Sequence, residues 1–390
     1  MRVLFVLPYV PSPIRVRPYH FVRELAQRHQ VTVLATCQQH ELGDVAPLRA
    51  LCHAVEVVPL SLRSSLVNCT RAVFFGEPLQ ASFCRSVELR QRMHDLIESR
   101  NYHLVHIEHL RAAWVRDCLP ESLPSLYDSV DCISLLLERT MRASHSPRQR
   151  ALAALELQRT RAYESRLLRR FRQVVVTSPE DGRALLSLAP DARVAVLPNG
   201  VDLQHFHPLP GEREPATLVL SGKMSYHANV SAVLHFVRHI LPLIRQTRPE
   251  VRLRVVGSAP PPAVLALGRD PAITVTGYLP DTREAIGRAT VAICPITVKV
   301  GIQNKVLEAM ALGLPVVCTR EGAEGLSAIP GEHLLVADNA EEFARHVCAL
   351  LDDAALRDRL GQAGRSYVET HHQWPAAAQK LEALYESLTA

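Results

Sequence analysis

Short runs of apolar, β-branched residues recur along the chain, and longer stretches with a helical period fill the gaps between them. The short runs predict strands at 2–8, 31–36, 54–60, 104–108, 125–129, 174–178 and 194–198, then at 217–221, 252–257, 273–278, 291–295, 315–319 and 333–337. The helical period predicts helices over 18–29, 86–99, 140–172, 229–247, 304–312, 340–350, 354–368 and 375–388. Most strand runs are apolar at successive positions, the pattern of a strand covered on both faces. Strand and helix in alternation predict an α/β class with parallel sheets, and the alternation occurs twice. The stretch PNGVDLQHFHPLPGEREPA at 198–216 follows neither period and is rich in Pro and Gly. A boundary between two doubly wound domains is therefore expected there, with 1–200 before it and 201–371 after it. Such sheets take ligands at the carboxyl ends of their strands, so a ligand is expected in a cleft between the two.

Composition narrows the class. A chain of 390 residues exceeds one ordinary core, and 47% apolar with 21% charged residues fits a globular protein. No apolar run approaches the roughly 18–20 residues of a membrane span. MRVLFVLPYV reads as a first strand, with no basic-then-apolar leader, so a cytoplasmic location is expected. The nine cysteines include no CxxC and no metal-like cluster, which predicts reduced core thiols. Charge is uneven. Residues 1–200 hold 26 arginines and no lysine against 19 acids, a net +7, whereas 201–390 hold 18 basic residues against 20 acids, a net −2. A basic N-terminal half fits an anionic membrane surface or a phosphorylated substrate, and equally an Arg-rich solvated surface.

The segment VGIQNKVLEAMALGLPVVCT at 300–319 carries the clearest chemistry. Val306, Leu307, Ala309, Met310, Ala311 and Leu312 leave its helix almost no polar face, and Gly313 with Pro315 ends it. Lys305 and Glu308 nevertheless stand three apart, on one side of the first turns. A lysine opposes the helix dipole at this end unless an anion satisfies both it and the free backbone N–H groups. Glu308, one turn deeper, is placed to accept from ligand hydroxyls. An intrahelical Lys305–Glu308 pair is the plainer reading.

The segment resembles the donor-binding signature of family-4 retaining glycosyltransferases of the GT-B architecture. The resemblance continues through VAVLPNGVDLQHFHP (194–208), LVLSGKMSYHANVSAVLHFV (218–237), RLRVVGSAPP (252–261), ITVTGYLPDTREAIGRATVAICPI (273–296), REGAEGL (320–326) and HHQWPAAAQKLEALYESL (371–388). Within that family it is similar to a bacterial branch of sugar transferases linked to exopolysaccharide clusters. That branch carries DxVD, here Asp128 and Asp131, and an Arg/Glu-rich helix, here 156–172. The resemblance implies two Rossmann-like doubly wound domains facing across a cleft. The first (1–200, with a C-terminal helix at 372–390 packing back on it) would bind the acceptor, and the second (201–371) the nucleotide-sugar donor. A sugar would pass from a nucleoside diphosphate, UDP before GDP, to an acceptor hydroxyl with retention of configuration.

For the donor, the resemblance implies that Glu308 holds the ribose and that Lys223 and Lys305 hold the diphosphate. Gly222, Gly301, Gln303 and Asn304 stand beside them, and the 277–281 loop around Tyr278 meets the base. The acceptor would be a carbohydrate, a lipid-linked sugar or a small molecule, with peripheral contact at an anionic membrane and no nucleic acid. No cofactor and no metal are expected. Three departures stand out. The family's second glutamate, eight positions before Glu308, is Val300 here, so donor-sugar recognition falls to the amides of 300–303, Gln303 or Asn304. The phosphate loop often carries Arg then Lys; Lys223 fills the first position, Ala228 stands near the second, and Lys305 would supply the missing charge. The glycine pair after the first strand is absent. PYVPSPIRVRPYH offers Arg15 and Arg17 instead, of which Arg17 better matches the branch.

In the N-terminal half, HLVHIEHL (103–110) puts His106, Glu108 and His109 near the end of one strand, and SLYDSVD (125–131) puts Asp128 and Asp131 at the end of another. Carboxylates and imidazoles at strand ends are suited to orienting an acceptor hydroxyl or taking its proton. Asp131, Asp128 and His106 are the expected catalytic residues, with Arg17, Glu108 and His109 as acceptor contacts; each is equally readable as a cap or turn residue. His106 and His109 lack the further ligands of a metal site. No Walker A, GxGxxG or GxSxG motif occurs. Two other readings share this pattern: a nucleotide-sugar epimerase on the same fold, which would turn over donor alone, and a non-catalytic nucleotide-sugar-binding protein.

Overall fold

The computed structural model describes residues 1–143, 147–297 and 301–390. The chain divides into two compact units, Met1–Pro198 with Trp374–Ala390, and Asn199–Gln373. The first unit contains strands β1 (Arg2–Leu7), β2 (Gln30–Cys37), β3 (Ala54–Pro59), β4 (Leu104–Glu108), β5 (Ser125–Val130), β6 (Gln173–Val176) and β7 (Val194–Val196). They form a parallel sheet in the order β3-β2-β1-β4-β5-β6-β7. The second unit contains β8 (Thr217–Ser221), β9 (Arg252–Val256), β10 (Ile273–Val275), β11 (Val291–Cys294), β12 (Val316–Thr319) and β13 (Leu335–Ala337), also parallel, in the order β10-β9-β8-β11-β12-β13. Each sheet grows outward on one side of its first strand and then resumes on the other. The β1/β4 and β8/β11 neighbours are therefore switch points, where successive loops part and leave a crevice.

Side-chain alternation along the strands builds two apolar layers in each unit. In the first unit Leu4, Val6, Val105 and Ile107 pack with Met93, Trp114 and Tyr127 on one face of the sheet. Val3, Phe5, Val33 and Leu104 pack with Phe21, Trp374 and Tyr385 on the other. Trp374 and Tyr385 belong to the helix Trp374–Thr389, which lies against the helix Val16–Leu25.

All thirteen strands fall on the runs that predict them. The helices depart further. The expected single helix over 140–172 is two among the described residues, Ile133–Ala143 and Pro147–Leu168, the second opening on a proline, which suits a helix start. The 229–247 helix begins at His227 and carries a π turn at Phe236–Ile240, just before Pro242, which has no N–H for the carbonyl four residues back. The helices Val45–Leu51, Leu62–Phe75 and Pro179–Leu188 were not expected. The last carries a legible start signal: Ser178 accepts from the Asp181 N–H, and Pro179 opens the helix. Among the described residues no helix is long and apolar enough to cross a membrane.

Candidate functional site

In the second unit, β8 ends at Ser221 and the chain turns through Gly222 and Lys223 toward the helix that starts at His227. Gly222 has φ 142°, and a Cβ there would lie 2.7 Å from Asn229 Nδ2. Gly257, after β9, has φ 154°, and a Cβ there would lie 1.9 Å from the Gly222 carbonyl oxygen. Only glycine lets these two loops abut through their backbones. The Gly222 N–H donates to Val256 O and the Met224 N–H to Ser258 O, both at 2.9 Å. Asn229, buried and absent from the sequence-based expectations, braces the loop: its Nδ2 donates to Lys223 O at 2.9 Å, and its Oδ1 accepts from Lys305 Nζ at 2.5 Å. The Lys223 side chain itself is exposed.

The helix Asn304–Ala311 follows β11, the other strand of the switch point. Its N-cap residue, Gln303, is buried and makes no side-chain capping bond. Asn304 Oδ1 accepts from Asn199 Nδ2 at 3.1 Å. Gly301 lies just before this start, and Val300 lies outside the described residues. The first-turn N–H groups without side-chain caps favour an anion. Burial lowers the pKa of Lys305, with Cys294 and then Glu308 opposing it. Burial pushes the Glu308 carboxyl up to about 7, against the pull of Lys305. Among the described residues nothing hydrogen-bonds to the Glu308 carboxylate. Lys305 is bonded to Asn229 and not to Glu308, so the two do not form the intrahelical pair. Tyr278 is 67% exposed, in the loop after β10.

In the first unit, Tyr9 follows β1 while Glu108 and His109 close β4, at the switch point. Tyr9 donates its hydroxyl to Glu108 Oε1 at 2.6 Å. Arg17 Nε donates to Asp128 Oδ2 at 2.7 Å, and its Nη1 donates to Leu197 O at 2.9 Å. His106 Nε2 lies 3.8 Å from the same Asp128 oxygen. His106 Nδ1 is 2.7 Å from the Tyr385 hydroxyl, and its ring stacks on Phe5 at 4.3 Å. His106, Glu108 and Asp128 are each 0% exposed, and Arg17 only 4%. Burial and then Arg17 lower the His106 pKa to about 3, so the imidazole is neutral. Burial and then Asp128 raise that of Glu108 to about 8, so it keeps its proton; burial also raises the Asp128 carboxyl, against the pull of Arg17.

This corrects the expectation for four residues. Arg17, His106, Glu108 and Asp128 form an interior network and do not line an open surface, because the helices Val16–Leu25 and Trp374–Thr389 cover this face of the sheet. His106, Glu108 and Asp128 can bring one ligand atom each within 4.8 Å of one another, but the Arg17 guanidinium already sits on the shared aspartate. The set holds one close pair, Arg17 with Asp128, beside a neutral imidazole and a protonated carboxyl.

His109 and Asp131 are placed differently. Both are half-buried, and each sits at a kinked strand end. His109 has φ 69° and Val130 φ 65°, left-handed conformations that are strained for non-glycine residues and cluster at functional sites. The His109 N–H donates to Asp128 O at 2.7 Å, and the Val130 N–H to Asp128 Oδ1 at 3.1 Å, so the buried aspartate holds both kinks. His109 Nδ1 accepts from the Arg111 N–H at 3.2 Å, which assigns the proton to Nε2. Burial, then Arg111 and Arg15, lower the His109 pKa to about 3, so it offers a neutral N–H donor. Asp131 accepts from Thr177 Oγ1 at 3.3 Å, and burial with Asp181 pushes its carboxyl up to about 7. A carboxyl poised there can hold or release a proton near neutrality.

Two family models match the chain, "Glycosyl transferases group 1" over residues 215–353 and "Glycosyl transferase 4-like domain" over 14–200. A GDP-mannose-dependent monoacylated α-(1-6)-phosphatidylinositol monomannoside mannosyltransferase of Corynebacterium glutamicum is 26% identical over 211 residues, 49% of this chain and 55% of that protein. An MMP α-(1→4)-mannosyltransferase of Mycolicibacterium hassiacum is 26% identical over 236 residues, 58% of this chain and 57% of that protein. The chain thus spans little more than half the length of these relatives. Among solved structures, a sucrose-phosphate synthase from Thermosynechococcus elongatus superimposes with a TM-score of 0.74 at 18% identity, covering 99% of this chain and 98% of that one. Anabaena HepE, solved with UDP and glucose, gives a TM-score of 0.71 at 16% identity over 100% of both chains. These neighbours share the two-sheet fold.

Proposed function

Because the chain belongs to the family-4-like glycosyltransferases, we propose that it moves a sugar, with retention of configuration, from a nucleoside diphosphate sugar to an acceptor hydroxyl. The observation that carries this reading is Glu308, a carboxylate without a hydrogen-bonding partner among the described residues, one turn inside a helix start that has no side-chain cap. Its oxygens suit the two ribose hydroxyls. The N–H groups ahead of it, with Lys305 braced by Asn229 and the exposed Lys223, suit the diphosphate. As the sugar–phosphate bond breaks, charge builds on the leaving diphosphate, and these groups stabilise it. Gln303, Asn304, Gly301 and Gly222 shape the backbone of this pocket, and Tyr278 offers a ring to the base. No metal enters this account.

On the acceptor side, the neutral Nε2–H of His109 orients a hydroxyl or the passing sugar, and Asp131 takes a proton. Arg17, His106, Glu108 and Asp128 hold the strand ends in place. The acceptor is a carbohydrate or lipid-linked hydroxyl in glycoconjugate or exopolysaccharide synthesis, reached at the surface of an anionic membrane. Uridine diphosphate sugars are proposed ahead of guanosine ones, on the likeness to HepE solved with UDP; the mannosyltransferase named GDP-mannose-dependent makes guanosine the necessary comparison. A thermal-shift screen against nucleotides and nucleotide-sugars tests the donor, since a ligand of the folded state raises the midpoint by mass action. A shift with UDP and UDP-sugars is expected. No shift with any nucleoside diphosphate sugar overturns the reading, and products formed from donor alone favour an epimerase.

A further inference from the structure

The helix Leu62–Phe75 has its amphipathicity reversed. Ser65 and Ala72 face inward and are buried, with Asn68 beside them, while the outward face carries Leu66, Val67 and Phe74. Leu66 is 67% exposed, Phe74 82% and Phe75 79%. Local signals fix the helix, with Ser61 as N-cap and Gly76 as left-handed C-cap, so nothing in its core packing explains the apolar outer face. Single exposed apolar residues are ordinary, but a contiguous set on one helix marks a surface for contact. Arg63 and Arg71 border that face, and both are exposed.

A groove of about 460 Å³ runs beside the helix, lined by Arg71, Phe75, Arg85, Val87, Arg90 and Trp114 among others. Arg85 is paired through its terminal nitrogens with Glu77. Its Nε is buried without a hydrogen-bond partner among the described residues, as is Trp114 Nε1. Arg90 lies over the Trp114 ring at 6.0 Å. The stretch 61–92 holds five arginines against two acids.

We propose that this helix and groove dock on an anionic phospholipid membrane, the apolar face entering the acyl boundary and the groove arginines taking a lipid phosphate. The proposal deepens the membrane contact of the proposed function and rests on that reading. An apolar face rimmed by arginine is the pattern of a helix lying in an anionic interface. A second copy of this chain is disfavoured as the occupant, because a two-fold contact would bring Arg63 and Arg71 against their own copies.

The full chain is sedimented with phosphatidylcholine vesicles with and without phosphatidylglycerol. Binding to the anionic vesicles exceeds that to neutral ones by about tenfold or more and falls with added salt. Phe74→Ser with Phe75→Ser weakens binding about tenfold, since both rings leave water on docking. Arg71→Ala with Arg90→Ala removes the anionic preference. The changed side chains are solvent-facing, so both doubles should keep the wild-type thermal midpoint and UDP-sugar affinity. Equal binding to both vesicle types, wild-type binding by the phenylalanine double, or a stable dimer in light scattering that this double dissolves would each overturn the proposal. Vesicle binding without affinity for any nucleotide-sugar would leave this surface standing and remove the transferase reading.

Discussion

Glu308→Gln keeps the size of the side chain and removes its charge, so it separates the carboxylate from the shape of the site. Burial pushes this carboxyl up to about 7. At pH 6 about one tenth of the molecules would carry the ionised form, and at pH 8 about nine tenths. If ribose hydroxyls bind the ionised form alone, affinity for a nucleotide-sugar rises about tenfold across that window, about 1.4 kcal/mol. UDP-glucose suits the measurement because its diphosphate is esterified at both ends and has no proton to lose there. The glutamine variant should match the wild type near pH 6, bind about tenfold more weakly at pH 8, and show no slope between. The stability of the unliganded fold should move the other way. Its folded value lies above the ordinary 4.5, so proton binding favours folding; that contribution is complete below 4.5 and lost as pH rises through about 7. Isothermal titration at pH 6, 7 and 8, with thermal midpoints of the free protein, reads both effects. A flat wild-type profile, or a slope that survives in the glutamine variant, refutes the role given to Glu308.

Further outcomes follow from the same geometry. Lys305→Ala and Lys223→Ala should each lower kcat on the order of 10²-fold, while EDTA leaves wild-type turnover intact; loss in EDTA with rescue by magnesium or manganese would refute this. His109→Ala should lower transfer at an unchanged thermal midpoint. His106→Ala should instead cost roughly 1–3 kcal/mol in urea unfolding, because it strands the buried Tyr385 hydroxyl; the opposite pattern would return His106 to the chemistry. Arg17→Ala strands the buried Asp128 carboxyl without its guanidinium partner and should cost about 3–5 kcal/mol, most of it recovered by Arg17→Leu with Asp128→Leu; a cost below about 1 kcal/mol in urea unfolding would refute a stabilising role for the pair.

The strands were legible because each is a compact apolar run between turn residues, and its meaning does not depend on distant contacts. Lys305 and Glu308 were legible for the same reason: two charges in an apolar helix are a local anomaly. Asn229 was not, since its role lies in a bond to a lysine 76 positions away. The period along β4 puts His106 and Glu108 on one side of the strand but does not say what covers that side. The cover comes from a tyrosine 279 positions later in the chain. His109, one residue beyond the strand, escapes the cover by its left-handed turn. LVNCTRAVFF at 66–75 is legible as an apolar run, but its helical period points outward, so it does not read as a core helix.

The first unit is discontinuous in sequence, and that sets an order of events at the ribosome. Val3, Phe5 and Val33 complete their layer only against Trp374, Leu381 and Tyr385, each 1% exposed or less. The second unit is one uninterrupted stretch, Asn199–Gln373. It can therefore mature while the unit made before it still waits with one face of its central strands bare. In the nascent chain the second unit is complete first, and the earlier-made strands keep an apolar face open until the last helix is made.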